Sequence, residues 1–137
     1  MIVVDSNALA HIWFQSNHSE AVSLLLEIDS RWAAPYLWRS EFRNILTAYM
    51  RLRSLPMVEA MQIWNRAEKI LEGNEHLVNS ASVLDLVMNS NCTAYDCEFI
   101  ALANQLESKM ITYDKQLLEE FQNVAMTAEQ YLESISK

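Results

Sequence analysis

The chain opens on an unbroken apolar run, MIVV, closed by Asp5. Short apolar runs rich in β-branched residues predict strands buried on both faces, as in a parallel sheet. KMITY (109–113) repeats the pattern. Weaker strand candidates lie at RWAAPY, closed by Pro35, at HLV (76–78) and at VAMT (124–127). The segments between them carry helical spacing. SNALAHIWF and SEAVSLLLEIDS follow the first strand. From Leu37 to about Leu52, the residues Phe42, Ile45, Leu46, Tyr49 and Leu52 fall along one side. PMVEAMQIWNRAEKILE opens near Pro56 and is capped by Gly73. SVLDLVMNSN, a helix beginning at TAYD, KQLLEEF and AEQYLESI complete the set. Strands alternating with helices predict an α/β domain with a central, mostly parallel sheet flanked by helices. No repeat, low-complexity tract or linker interrupts the pattern, so a single domain over residues 1–137 is expected.

Composition narrows the chemistry. Apolar residues make up 51% of the chain, which excludes a disordered segment. MIVVD has no basic leader region, and no apolar stretch reaches the roughly 20 residues that cross a bilayer. A soluble, cytoplasmic protein is the expectation. The net charge of −8 argues against a broad basic surface for nucleic acid. The chain has 1 glycine, Gly73, so neither a P-loop nor a dinucleotide-binding glycine turn can form. Cys92 and Cys97 lack the C-x-x-C spacing of a zinc or redox site and read as reduced thiols in or near the core. His11, His18 and His76 are scattered and read as surface or packing residues.

Four acids stand at element boundaries. Asp5 and Asp114 each follow a strand and precede a helix, where Asp is a favoured N-cap. Asp96 lies three residues after Thr93, in an approximate capping box. Glu41 is in the first turn of its helix, where the dipole favours an acid. Taken singly, each acid is as well explained by capping as by chemistry. Glu41 strains that explanation, because at about 100° per residue it lies within about 40° of Ile45 and Leu52 on the apolar stripe. Asp96 borders the stripe of Phe99, Ile100 and Ala103. A carboxylate facing a core is costly unless paired or metal-bound. Arg39 and Arg43 are near enough in sequence to pair with Glu41. The other partner for such a cluster is a hard divalent cation. Asp5 and Asp114 also fall at the carboxyl ends of strands, where open α/β sheets bind ligands. Glu98 lies about 200° round its helix from Asp96 and reads as solvated.

VVDSNALA, SEFRNIL, TAYDCEFIALA and ITYDKQLL, in that order and spacing, resemble the four acidic motifs of the PIN domain, most closely the VapC-type toxins of toxin–antitoxin systems. The resemblance covers nearly the whole chain. It implies a three-layer α/β fold and a Mg²⁺- or Mn²⁺-dependent endoribonuclease, often homodimeric and often held inactive by a small antitoxin. It also implies that Asp5, Glu41, Asp96 and Asp114 form the catalytic, metal-binding site. Ser6, Asn7 and Thr112 lie beside these acids as candidate supporting groups. Arg39 and Arg43, with Arg51 and Arg53, are the clustered positive charges, readable as RNA contacts or as a solvated helix face. Two other readings stand beside the nuclease. One is a PIN-fold interaction module without catalysis. The other is a receiver-type phosphoacceptor domain, which needs adjacent acids after the first strand; here Ser6 follows Asp5.

Overall fold

The computed structural model describes all residues, Met1–Lys137. Five parallel strands form one sheet in the order β3-β2-β1-β4-β5. They are β1 (Ile2–Val4), β2 (Trp32–Pro35), β3 (Glu75–His76), β4 (Lys109–Ile111) and β5 (Ala125–Met126). The N-terminal strand is thus central, with Val3 beside Ala33 on one side and Met110 on the other. Eight helices connect the strands: α1 (Ser6–Ala10), α2 (Ser19–Ile28), α3 (Trp38–Leu52), α4 (Met57–Ile70), α5 (Ser80–Met88), α6 (Ala94–Gln105), α7 (Lys115–Glu120) and α8 (Ala128–Ile135). This is the expected α/β class. A parallel strand is covered on both faces, and β1 and β2 are accordingly buried at every position.

α6 packs against β1, β2 and β4. Cys97 and Phe99 through Ala103 are all buried, so this helix is apolar nearly all round. Around α3, Trp38 stacks on Trp64 at 5.0 Å, and Phe42 packs edge-on to Trp13. Fully burying a ring such as Phe42 contributes roughly 1.5–3 kcal/mol. No helix is long and apolar enough to cross a membrane.

Three expectations need correction. The strand expected at HLV is Glu75–His76, because pairing with Ala34 and Pro35 takes the residues directly after the turn at Gly73. Leu77 is left 84% exposed. The helix expected over SNALAHIWF stops at Ala10, since the backbone N–H groups of His11 and Ile12 donate to the carbonyls of Ala8 and Leu9 and tighten the last turn. Leu52 does not share the buried stripe of α3. It lies in the last turn, beyond the packing partners, and is 79% exposed. Gly73, at φ 78°, turns the chain after α4, a conformation natural to glycine.

Candidate functional site

The carboxyl edge of the sheet gathers the four acids by four separate local devices. Asp5 ends β1 and caps α1, its Oδ1 accepting the Ala8 N–H at 3.0 Å. Its Oδ2 accepts the Thr112 hydroxyl at 2.6 Å. Thr112 is fully buried, and its own hydroxyl oxygen accepts the Asp114 N–H at 3.1 Å. One threonine hydroxyl therefore joins the ends of β1 and β4. Asp114 caps α7, its Oδ1 accepting the Leu117 N–H at 3.0 Å, and the residue is exposed. Glu41 reaches across from the first turn of α3, where its Oε1 accepts the Ser6 hydroxyl at 2.9 Å. Asp96 lies in the first turn of α6. There the Thr93 hydroxyl caps the helix by accepting the Asp96 N–H at 3.1 Å.

The capping explanation is thus correct for Asp5 and Asp114, and incomplete. The Asp114 cap uses one carboxylate oxygen and leaves the other without a hydrogen bond, whereas the second oxygen of Asp5 is held by Thr112. No ion pair of the protein involves any of the four acids. Their proton affinities show the result. Burial pushes the Asp5 carboxyl up, opposed by the Thr112 hydroxyl and the Ala8 and Asn7 N–H groups, while the Asp96 charge pushes the same way as burial. Burial also raises Glu41, with Ser6 opposing and the charges of Asp5, Asp96 and Glu98 adding. Asp96 is raised by burial, with Thr93 opposing and Asp114 adding. The quartet is one electrostatic unit without a counter-charge.

No three carboxylate, imidazole or thiol groups close into a ready-made cage. Uncompensated carboxylates repel, and Mg²⁺ typically takes only one or two protein carboxylates and keeps several waters. An all-oxygen donor set of carboxylates without a protein cation fits such an ion. It does not fit a soft metal, since the buried thiols of Cys92 and Cys97 belong to the core around α6.

A family model described as the PIN domain matches residues 2–125. The chain belongs to the PIN domain family. Ribonuclease VapC3 of Pyrobaculum aerophilum is 29% identical over 129 residues, covering 88% of this chain and 94% of the relative. The crystal structure of FitAcB from Neisseria gonorrhoeae superposes with a TM-score of 0.74 at 14% identity, covering 94% of this chain and 99% of that one. That of PAE2754 from Pyrobaculum aerophilum gives 0.74 at 19% identity, covering 98% and 96%. A toxin–antitoxin complex from Klebsiella pneumoniae gives 0.68 at 13% identity, covering 93% and 98%. PIN membership displaces the phosphoacceptor alternative.

Within this PIN domain the supporting residues divide. Ser6 and Thr112 orient acids through their hydroxyls, whereas Asn7 is exposed and contributes its backbone N–H to Asp5. Arg39 is neither the partner of Glu41 nor a free RNA contact. Its Nε and Nη2 hold Glu75 at 2.6 and 2.9 Å, and its Nη1 holds Glu68 at 2.8 Å. Arg43 turns its guanidinium over Trp64, 5.4 Å from the ring centre. Glu98 is only partly solvated. It is half-buried and charge-coupled to Glu41, because α6 lies deep enough that even its flank meets protein. His11 and His18 are not scattered but pack together, 5.3 Å between ring centres, with His18 stacked on Tyr113. Sequence reasoning passed over Tyr36, at the carboxyl end of β2. Tyr36 directly follows the buried strand WAAP, and the rule that picked out Asp5 and Asp114 applies to it equally.

Proposed function

We propose that this PIN domain, acting as a single unit over residues 1–137, is a metal-dependent endoribonuclease that cleaves single-stranded RNA. The observation that carries the reading is the set of four acids at the carboxyl edge with no protein cation among them. The relative named as a ribonuclease supports the reaction class. Similar folds solved as toxin–antitoxin complexes support a small antitoxin as partner. We place the protein in the cytoplasm, as a toxin and as a homodimer, on the same footing.

Asp5 and Asp96 would hold the main Mg²⁺ or Mn²⁺ ion, and Glu41 and Asp114 would complete or orient its shell. A divalent cation bound there supplies charge against the scissile phosphate and lowers the pKa of an attacking water. The chain's own residues do the rest. Thr112 fixes the Asp5 carboxylate, and Ser6 fixes that of Glu41. Such outer partners typically affect metal affinity or activity by 10–100-fold. Burial raises the proton affinity of Asp5, Glu41 and Asp96, so protons and a cation would compete for these groups. No covalent enzyme intermediate is required.

The test is cleavage of a labelled single-stranded RNA. Turnover is expected with Mg²⁺ or Mn²⁺ and none with EDTA. It is expected to vanish in Asp5→Asn and Asp96→Asn proteins whose circular dichroism matches wild type. Cleavage that persists in both variants overturns the assignment. A wild-type chain inert on every RNA and metal returns the PIN-fold interaction module as the answer.

A further inference from the structure

Tyr113 stands between two residues of the acidic edge, Thr112 and Asp114. β4 ends at Ile111, so the turn that carries all three lies beyond the strand. Its backbone keeps one bond to β5, from the Thr112 N–H to the Met126 carbonyl at 3.0 Å. The Asp114 carboxylate hydrogen-bonds only the Leu117 N–H that it caps. Further anchorage comes from the tyrosine side chain. Its hydroxyl donates to Glu129 Oε1, in the first turn of α8, at 2.5 Å. The other oxygen of that carboxylate lies 2.8 Å from Nδ1 of His18, the residue that precedes α2. The His18 ring lies over the phenol at 3.9 Å with 22° between planes. His11, at the end of α1, meets the phenol edge-on at 5.2 Å, and its Nδ1 lies 2.7 Å from the Ser16 hydroxyl. Side chains from three helices thus hold one ring by its face, its edge and its hydroxyl.

We propose that Tyr113 and Glu129 are positioning residues for the metal site: the clamp they form sets where Asp114 and Thr112 stand and, through Thr112, the Asp5 carboxylate. A shift of the 112–114 turn moves Asp114 directly. It also moves the Thr112 hydroxyl away from the Asp5 oxygen that it holds at 2.6 Å. Asp5 and Asp114 therefore depend on one turn, and the turn is steadied by one phenol. Mg²⁺ demands near-ideal octahedral geometry, so a small displacement of its ligands registers as lost affinity. Neither Tyr113 nor Glu129 hydrogen-bonds an acid of the quartet through its side chain, so their effect passes through the turn. α8 lies outside residues 2–125, which match the PIN domain, and packs on α2. The clamp ties the acidic edge to this helix beyond the matched span. The inference rests on the metal-dependent reading above, and its test tells the two apart.

The measurement is Mn²⁺ binding, read from the paramagnetic resonance of the free ion, at a temperature well below the melting point of every variant in EDTA. Cleavage of labelled single-stranded RNA at saturating Mn²⁺ gives kcat and KM alongside. Tyr113→Phe keeps the ring and its stacking and loses only the hydroxyl. That variant and Glu129→Ala are expected to weaken Mn²⁺ binding roughly tenfold, the low end for groups that orient metal ligands. KM for RNA at saturating metal should stay at the wild-type value. Glu129→Gln keeps a carbonyl oxygen for the phenol and should bind Mn²⁺ within about twofold of wild type. Tyr113→Phe decides the matter if Glu129→Ala fails to fold. A Tyr113→Phe protein that melts lower yet binds Mn²⁺ as wild type does overturns the proposal, because the clamp then only stabilises the fold. Glu129→Gln as weak as Glu129→Ala overturns it too, since the bond to the phenol is then not the cause. A wild-type chain that binds Mn²⁺ no better than Asp5→Asn overturns the metal site itself, and the positioning role with it.

Discussion

Arg39 and Glu41 sit two residues apart on the same turn of α3 and meet opposite fates. Arg39 is matched by two carboxylates, Glu68 and Glu75, and Glu75 also accepts the Trp38 indole N–H at 2.8 Å. Every charge in that cluster has a partner. Glu41 has a single hydroxyl and three like charges around it. The first arrangement is what stabilising a fold produces. The second is what the proposed metal site requires. Proximity in sequence says nothing about which applies: a helix turn of about 100° per residue sends the two side chains to opposite flanks.

The comparison is broken most decisively by activity. If the quartet awaits a cation, Asp96→Asn removes several kcal/mol of transition-state stabilisation, about 10³-fold or more in RNA cleavage. Arg39→Ala is expected to leave cleavage nearly intact. A chemical denaturation series gives the reverse ranking. Arg39→Ala strands Glu75 in a largely buried place and should cost about 2 kcal/mol, below the full figure for a buried pair because Arg39 is partly exposed. Glu41→Gln should cost little or nothing. If Glu41→Gln is the more destabilising, the acids are structural.

A smaller effect is expected from metal alone. For a millimolar site, about 10 mM Mg²⁺ contributes roughly 1.4 kcal/mol to the folded state, or about 2–5 °C in melting temperature. Asp5→Asn and Asp96→Asn should lose that gain, and Arg39→Ala should keep it. Equal gains in all of them place the ion elsewhere.

The smallest effect lies in pH. Asp5, Glu41 and Asp96 hold protons more tightly folded than unfolded. Their contribution to stability is full below the unfolded carboxyl values, near pH 4. It is lost as pH rises through the raised folded values. In EDTA, removing one charge by Asp96→Asn should flatten that loss and raise the melting temperature at neutral pH, by less than about 1 kcal/mol given solvent screening. A variant that instead melts lower in EDTA by about the value of a helix cap, roughly 1 kcal/mol, makes Asp96 a helix-start residue only.

Much of this was readable in the chain because the relevant signals are local. β1 and β4 announce themselves by apolar runs, and Asp5 and Asp114 by standing where those runs end. Asp96 is marked by its spacing from Thr93. What was not readable depends on pairing across distance. Arg39 finds Glu75 over 36 residues, and no periodicity predicts which of two nearby acids an arginine will choose. The wheel angle that sent Glu98 to solvent assumed that one side of α6 faces water along its whole length, whereas its middle, from Cys97 to Ala103, is largely enclosed and only its ends are exposed. Glu75–His76 is too short a strand to leave a pattern.

The bond between Thr112 and Asp5 spans 107 residues of chain. β1 is the middle of the sheet, yet its neighbour β4 is the fourth strand to be made. The acids therefore cannot be brought together before β4 is made, and a nascent or truncated chain ending before β4 carries Asp5, Glu41 and Asp96 but no assembled edge. Assembly of the acidic edge is thus timed by translation itself.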